Sequence, residues 1–144
     1  MAAVKGDVGK VMFVNDGSNN AAEALITGTR SWTLDITKDT IETTVQGNTS
    51  KTFVGGLISG TGTIELIYDN AGDSAYQQII DDVLTTGDTA DALFELFPDE
   101  ANNASAKKIG FAGIVTGGSF GATLGELQTV NLNFQTSGAI TSAI

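Results

Sequence analysis

Acidic side chains are the only plentiful source of acid–base chemistry in this sequence. It has no histidine and no cysteine. That removes the usual general base near neutral pH, the thiolate nucleophile and the commonest nitrogen and sulfur metal ligands. Glu65 and Asp69 fall on one face of an expected strand, but glycosidase-type chemistry needs two carboxyls facing each other across a cleft, and no second carboxylate is placed opposite. Asp81 and Asp82 are adjacent on an expected helix, so they point about 100° apart and read as a solvated face. Asp16, Gly17 and Glu23 reproduce the glycine-to-glutamate spacing of a calcium loop, yet its first and third ligand positions would be Met12 and Val14, so 16–20 (DGSNN) reads as a turn. Gly60 and Gly62 precede a strand rather than a helix and lack a third glycine, so they read as turn or bulge glycines. The run GGSFGATLGE at 117–126 lacks the lysine of a phosphate loop and reads as a flexible connection. No catalytic, cofactor or metal role is therefore assigned, and no cofactor is expected.

Seventeen acidic residues against seven basic ones give a net charge of −10. Such a chain repels nucleic acid and anionic membranes. The opening MAAVKGDVGK has no long apolar run of an export signal, and no stretch approaches the roughly 18 apolar residues of a membrane span, so a soluble compartment is expected. Two glycosylation sequons, at Asn48 and Asn103, mean little in that setting. The 144 residues fit one domain, 1–144, with a real core.

The elements follow from periodicity. Residues 9–15 alternate as a first strand. Residues 24–28 and 31–37 read as strands, or as one strand bent at Gly28. In 31–37, Trp32, Leu34 and Ile36 oppose Ser31, Thr33, Asp35 and Thr37; in 63–69, Ile64, Leu66 and Tyr68 oppose Thr63, Glu65, Ile67 and Asp69. Between these two strands lies a polar, Thr- and Gly-rich excursion, 38–56, longer than a compact domain keeps without a use. Residues 73–87 form the one clear helix. Asp73 or Ser74 caps it, Gly87 ends it, and Tyr76, Ile79, Ile80, Val83 and Leu84 make an apolar stripe, with Gln77, Gln78, Asp81 and Asp82 toward water. Residues 92–97 form a strand closed by Pro98, 98–108 a polar loop, and 109–116 a further strand. In 129–135, Val130, Leu132 and Phe134 oppose Thr129, Asn131, Asn133 and Gln135. Six or seven strands with one helix imply a mainly β fold, a β-sandwich or flattened barrel with one flanking helix and a long extended loop.

The order of these pieces resembles a known family. SWTLDITKDTIETT leads into the long excursion. FVGGLISGTGTIELIYD follows, then a single helix, a strand ending in FP, the strand IGFAGIVT and a closing TVNLNFQTSGAI. From about residue 9 to 140 this looks like a tail tube protein, the major tail protein of a long-tailed bacteriophage. The resemblance implies a β-sandwich with a flanking helix, assembled as six-fold rings whose inner sheets join in one barrel and whose rings stack into a tube. It implies a structural, non-enzymatic role in the virion tail, assembled in the bacterial host cytoplasm, with a central channel for DNA delivery. Its partners would be copies of itself, a tape-measure protein, and tail terminator or baseplate proteins. Double-stranded DNA would pass without specific binding, and no membrane would be involved. Secretion-system tube proteins share the fold and are the alternative; a carbohydrate-binding β-sandwich is another, but would want exposed aromatics.

Under that resemblance, Ser31, Thr33, Asp35, Thr37, Thr129, Asn131, Asn133 and Gln135 become channel-lining candidates. The excursion 38–56 becomes an inter-subunit loop, with Thr43, Val45, Gln46, Asn48, Lys51 and Phe53 as candidates for contacts between rings. Residues 138–144 read as a C-terminal extension.

Overall fold

The computed structural model describes residues 9–14, 24–26, 28–68, 74–87, 89–98 and 107–143, and of Ala24 and residues 74–77 the backbone alone. The expected turn at 16–20, the calcium-like residues Asp16, Gly17 and Glu23, most of the loop at 98–108, Asp69, Asp73 and the sequon at Asn103 lie outside these residues, as do the side chains of Ser74, Tyr76 and Gln77.

The elements run β1 (Lys10–Val14), β2 (Ala24–Leu25), β3 (Thr29–Glu42), β4 (Phe53–Ile67), α1 (Ser74–Leu84), β5 (Ala92–Phe97), β6 (Ile109–Gly121) and β7 (Thr129–Ser142). The fold is mainly β with one helix. All seven strands join one antiparallel sheet in the order β2-β1-β5-β6-β7-β4-β3.

That order makes the sheet roll. β2 and β3 stand at its two ends, yet only residues 26–28 join them in the chain. A flat seven-strand sheet is roughly 29 Å wide, whereas the four residue steps from Leu25 to Thr29 span about 14 Å at most. The two ends therefore fold toward each other, giving the expected sandwich or flattened barrel. The link is pinned on both sides. Ile26 donates its N–H to the Val11 carbonyl at 3.0 Å, and Ile67 donates to the Gly28 carbonyl at 2.8 Å. Gly28 has φ +76°, a left-handed conformation that costs glycine least. β2, residues 24–25, and the stretch 31–37 in β3 thus belong to two strands at opposite ends of the sheet, not to one bent strand.

The roll closes on aromatic rings. Phe13 of β1, Phe94 of β5, Phe111 of β6 and Phe134 of β7 form a chain of contacts with centroids 4.9 to 5.3 Å apart. Ile64, Leu66, Val130 and Leu132 complete the core, with Trp32 and Leu34 packed against it. Gly62 is neither a turn nor a bulge residue. It lies inside β4, where a Cβ would collide with the Thr33 carbonyl and the Phe134 ring. In the β3–β4 pairing the register shifts twice, by an extra residue in β3 between Thr29 and Ser31 and by an extra residue in β4 opposite Lys38–Thr40.

α1 packs over β6 and β1. Ile79 is wholly buried and Ile80 and Val83 are half-buried, as the stripe implied, and Gly87 is left-handed at φ +70°. The helix is rotated from the expected setting, however. Leu84 is 72% exposed, while Asp82, expected in water, is 3% exposed and accepts the Val115 N–H at 2.7 Å. The cause lies in β6. Its register with β7 slips between Val115 and Gly117, and β5 stops pairing at Gly113. The Val115 amide then needs an acceptor, and leaving it bare in the interior costs more than turning a leucine outward.

Three expected loops are strands. The excursion 38–56 is mostly a hairpin arm, because β3 runs to Glu42 and β4 starts at Phe53. Its pairing runs from Thr37↔Ser59 out to Glu42↔Phe53, with one register shift between Lys38 and Thr40. Residues 117–121 of the glycine-rich run pair with β7 from Asn133 to Thr129, which leaves 122–128 as the connection. Gly138–Ser142 are part of β7, with Ile140 opposite Phe111 and Ser142 opposite Ile109, rather than a free extension. Thr and Gly satisfy the backbone ladder as well as apolar residues do, so pairing outruns the alternating stretches.

Candidate functional site

Register brings the polar residues of four strands onto one face. Ser31 pairs with Glu65, Glu65 with Asn131, and Asn131 with Ser119. One step along, Thr33, Thr63, Asn133 and Gly117 form a second row, and Asp35, Thr61 and Gln135 a third. Residues opposite each other on neighbouring strands share a face. The other face carries Trp32, Leu34, Ile64, Leu66, Val130, Leu132 and Phe134, which meet the core. β3, β4, β7 and the distal half of β6 therefore form a slab, apolar beneath and hydroxyl- and amide-rich above.

The hydroxyls on this face bond to one another. Thr33 and Thr63 are 2.8 Å apart and Thr37 and Ser59 3.2 Å, oxygen to oxygen. Charge is sparse. Asp35 is exposed, and Glu65 has the Arg30 guanidinium at 3.8 Å and the Ser31 hydroxyl at 3.4 Å. A shallow polar depression of about 300 Å³ lies over Thr33, Asp35, Thr61, Thr63, Thr116, Asn133 and Gln135. Among the described residues no group of three or more acidic side chains is placed to hold a metal ion, and no helix is long and apolar enough to cross a membrane.

Of the eight residues singled out on the two strands, six sit openly on this slab or at its margin: Ser31, Thr33, Asp35, Thr37, Asn131 and Asn133 are all exposed. Gln135 is half-buried and donates its amide to the Gly60 carbonyl at 3.0 Å and the Thr136 carbonyl at 3.3 Å. Thr129 is also half-buried, at the far end, beside Tyr68 and Phe120. Sequence reasoning missed Ser59, Thr61 and Ser119 on the same face. The first two were legible in SGTGTIEL, where Ser59, Thr61, Thr63 and Glu65 alternate with glycine and isoleucine.

The hairpin arm holds Thr43, Val45, Gln46, Asn48, Lys51 and Phe53 at its distal end. Its tip is built rather than slack. The Thr43 amide donates to the Thr52 carbonyl at 2.8 Å, the Thr52 amide to the Thr44 hydroxyl at 2.9 Å, and the Asn48 amide to the Val45 carbonyl at 3.2 Å across a turn whose Gly47 has φ +98°. Along the arm, Ile36, Ile41, Val45, Phe53, Val54, Leu57 and Ile58 are each at least half exposed. Soluble monomers seldom gather so many apolar side chains on one exposed element.

The slab has two open sides. β3 is the last strand of the sheet. On the other side, residues 117–121 of β6 pair with β7 and, among the described residues, with no second strand, because β5 reaches no further than Gly113 and Asp82 takes up the Val115 amide.

No protein-family model matches this chain, and no curated protein matches it. Solved structures do. The chain is similar to a subunit of the tail of an empty gene transfer agent particle refined with C6 symmetry, at TM-score 0.72 and 16% identity, covering 99% of this chain and 100% of that one. It is similar to the SPP1 tail tube protein at TM-score 0.73 and 14% identity, covering 99% and 81%. It is also similar to a chain of the sheath/tube terminator of an extracellular contractile injection system, at TM-score 0.67 and 12% identity, covering 100% and 99%. At such identities the likeness defines the fold, and the fold is that of tail tube proteins.

Proposed function

We propose that this protein is the structural subunit of a tail tube, forming six-fold rings that stack around a central channel for DNA delivery. The observation that carries this reading is the four-strand slab. It is sealed by a core on one face, covered with hydroxyls and amides on the other, and open at both lateral edges. A strand edge left unpaired is a template for another chain. When β3 of one copy meets the distal half of β6 of the next, both edges are satisfied and the slab continues from copy to copy. A closed ring then leaves no free edge. The polar face becomes the inner wall, lined by Ser31, Thr33, Asp35, Thr37, Asn131 and Asn133, with Thr129 and Gln135 at its margins. α1 lies on the other side of the core.

The wall so formed suits passage rather than binding. Proteins hold DNA chiefly by neutralising phosphates with Lys and Arg. The only guanidinium at this face is beside Glu65, and the hydroxyls are occupied with each other. Nothing in this arrangement calls for an enzymatic role. The partners that follow are further copies of the chain, a terminator and a baseplate at the tube ends, and a tape-measure protein within. The location is the tail of a virion assembled in the bacterial cytoplasm. The likeness to an extracellular contractile injection system chain favours one second reading, a secretion-type tube with protein in its channel. Negative-stain microscopy of the purified protein tests the main reading. Six-fold rings or tubes are expected as concentration rises, and a protein that stays monomeric at every concentration would overturn it. Particles from the producing strain separate the readings, because nuclease-resistant DNA belongs only to a delivery tail.

A further inference from the structure

One cation interrupts the polar face, and an irregularity in β3 sets its position. Strand alternation alone would put residue 30 on the face of Trp32 and Leu34. Arg30 is instead the extra residue between the pairs Thr29↔Leu66 and Ser31↔Glu65. A bulge bends its strand and re-aims the side chain it carries. The guanidinium reaches Glu65, whose row continues through Asn131 to Ser119. The two carboxylate oxygens are engaged separately: Arg30 Nη1 stands 3.8 Å from Oε1, and the Ser31 hydroxyl donates to Oε2 at 3.4 Å. The guanidinium contact is loose, and Arg30 stays 58% exposed. Exposed pairs of this kind hold weakly, whereas a phosphate accepts two parallel bonds from a guanidinium. The edge that would meet β3 on ring closure, 117–121 (GGSFG), carries no carboxylate, so that seam adds no second acid beside Arg30.

We propose that Arg30 is a phosphate-binding group on the channel wall and that Glu65 masks it, so that duplex DNA slides past a cation that would otherwise hold it. A six-fold ring sets six such pairs at one level of the channel. Each guanidinium bared there would neutralise a phosphate and release its counterions. With the Glu65 carboxylate alongside, the same phosphate meets no net charge. The cation has its own use before assembly, because a charge on an edge strand discourages indiscriminate pairing with other chains. This rests on the DNA-delivery reading and adds to it which two side chains keep the wall from gripping its cargo.

The test uses tubes assembled from purified protein and a short, labelled linear DNA duplex, with retention read by co-sedimentation. Parent tubes are expected to retain little. Glu65→Gln is expected to raise retention roughly tenfold at about 50 mM salt, and to lose about threefold of it per engaged phosphate by about 200 mM. Where Glu65→Gln impairs assembly, Glu65→Asp carries the same comparison with a smaller rise, because its carboxylate stands further from the guanidinium. Arg30→Gln combined with Glu65→Gln is expected to return retention to the parent level. Relaxed circular DNA, which has no end to enter the channel, is expected to stay in the supernatant throughout. Three results would each overturn the masking alone: variant tubes that retain no more duplex than the parent, retention that survives the loss of Arg30, or equal retention of the circle. A parent that forms neither rings nor tubes overturns the tube reading and this proposal with it.

Discussion

Gly62→Ala tests whether the sheet is rolled as tightly as described. Gly62 faces Leu34 on β3 and Phe134 on β7. A methyl there meets the Thr33 carbonyl oxygen and the Phe134 ring edge, with Phe134 Cε1 at 3.0 Å and two atoms nearer still. Neither obstacle yields easily. One is the backbone of a paired strand, and the other is a ring held between Phe94 and Phe111. Overpacking a core costs about 1–3 kcal/mol, and with two rigid obstacles the expected loss is about 3 kcal/mol. For a domain of this size that lowers the melting temperature by roughly 10 °C. Gly117→Ala is the matched control. Its Cβ finds only Asn133 Nδ2 at 3.6 Å, so it is expected to gain roughly 0.5 kcal/mol from a stiffer unfolded chain. Urea unfolding followed by the fluorescence of Trp32, the only tryptophan, at concentrations too low for assembly, gives both numbers. A Gly62→Ala variant within 0.5 kcal/mol of the parent, or a Gly117→Ala loss of equal size, would refute the packing described.

Three further outcomes are expected. Ile79→Ala, at a wholly buried position, costs about 2–5 kcal/mol, whereas Leu84→Ala on the exposed side of the same helix stays within about 0.5 kcal/mol; equal losses in denaturant titration would put the helix in the wrong rotation. Asp82→Ala removes the acceptor of a buried amide and is expected to cost about 2–3 kcal/mol, with faster hydrogen exchange at Val115 as the local signature; unchanged exchange there would count against the cap. Asn131→Lys with Asn133→Lys preserves folding and assembly but slows DNA ejection, most at low salt, because each cation gives phosphates a place to stop; unchanged ejection from intact particles at low ionic strength would remove these positions from the channel wall.

The sequence made strands legible wherever one face meets the core and the other meets water. Trp32 and Leu34 against Thr33 and Asp35, and Leu132 and Phe134 against Asn131 and Asn133, needed nothing more. Strand length was not legible. The arm and the 117–121 segment are held chiefly by the backbone ladder, and Thr, Gly and Ser carry no alternation once neither face is buried. Helix rotation was misjudged for a different reason. Ile79, Asp82 and Val83 keep the i, i+3, i+4 spacing of a buried stripe, but the need for a carboxylate within it comes from a register slip in β6, far away in sequence. The polar face was legible strand by strand, while its continuity depends on the β4–β7 and β6–β7 pairings, which no local pattern encodes. Tyr68 and Phe120 line one depression only because β7 pairs with both β4 and β6.

Gly60 marks the root of the arm, and two side chains of β7 hold it. Its amide donates to the buried Thr136 hydroxyl at 2.9 Å, and its carbonyl accepts from the Gln135 amide at 3.0 Å. β4 and β7 pair through their backbones only as far as Thr61 and Gln135, so beyond this clamp, among the described residues, β3 and β4 pair only with each other. The hairpin is a lever some 25 Å long, and a 10° swing at the root carries its tip about 4 Å. In a tube built of such levers, the clamp at position 136 would set part of the bending stiffness. Replacing one methyl-bearing hydroxyl there would change how far a tail can flex while leaving every contact between neighbours chemically intact.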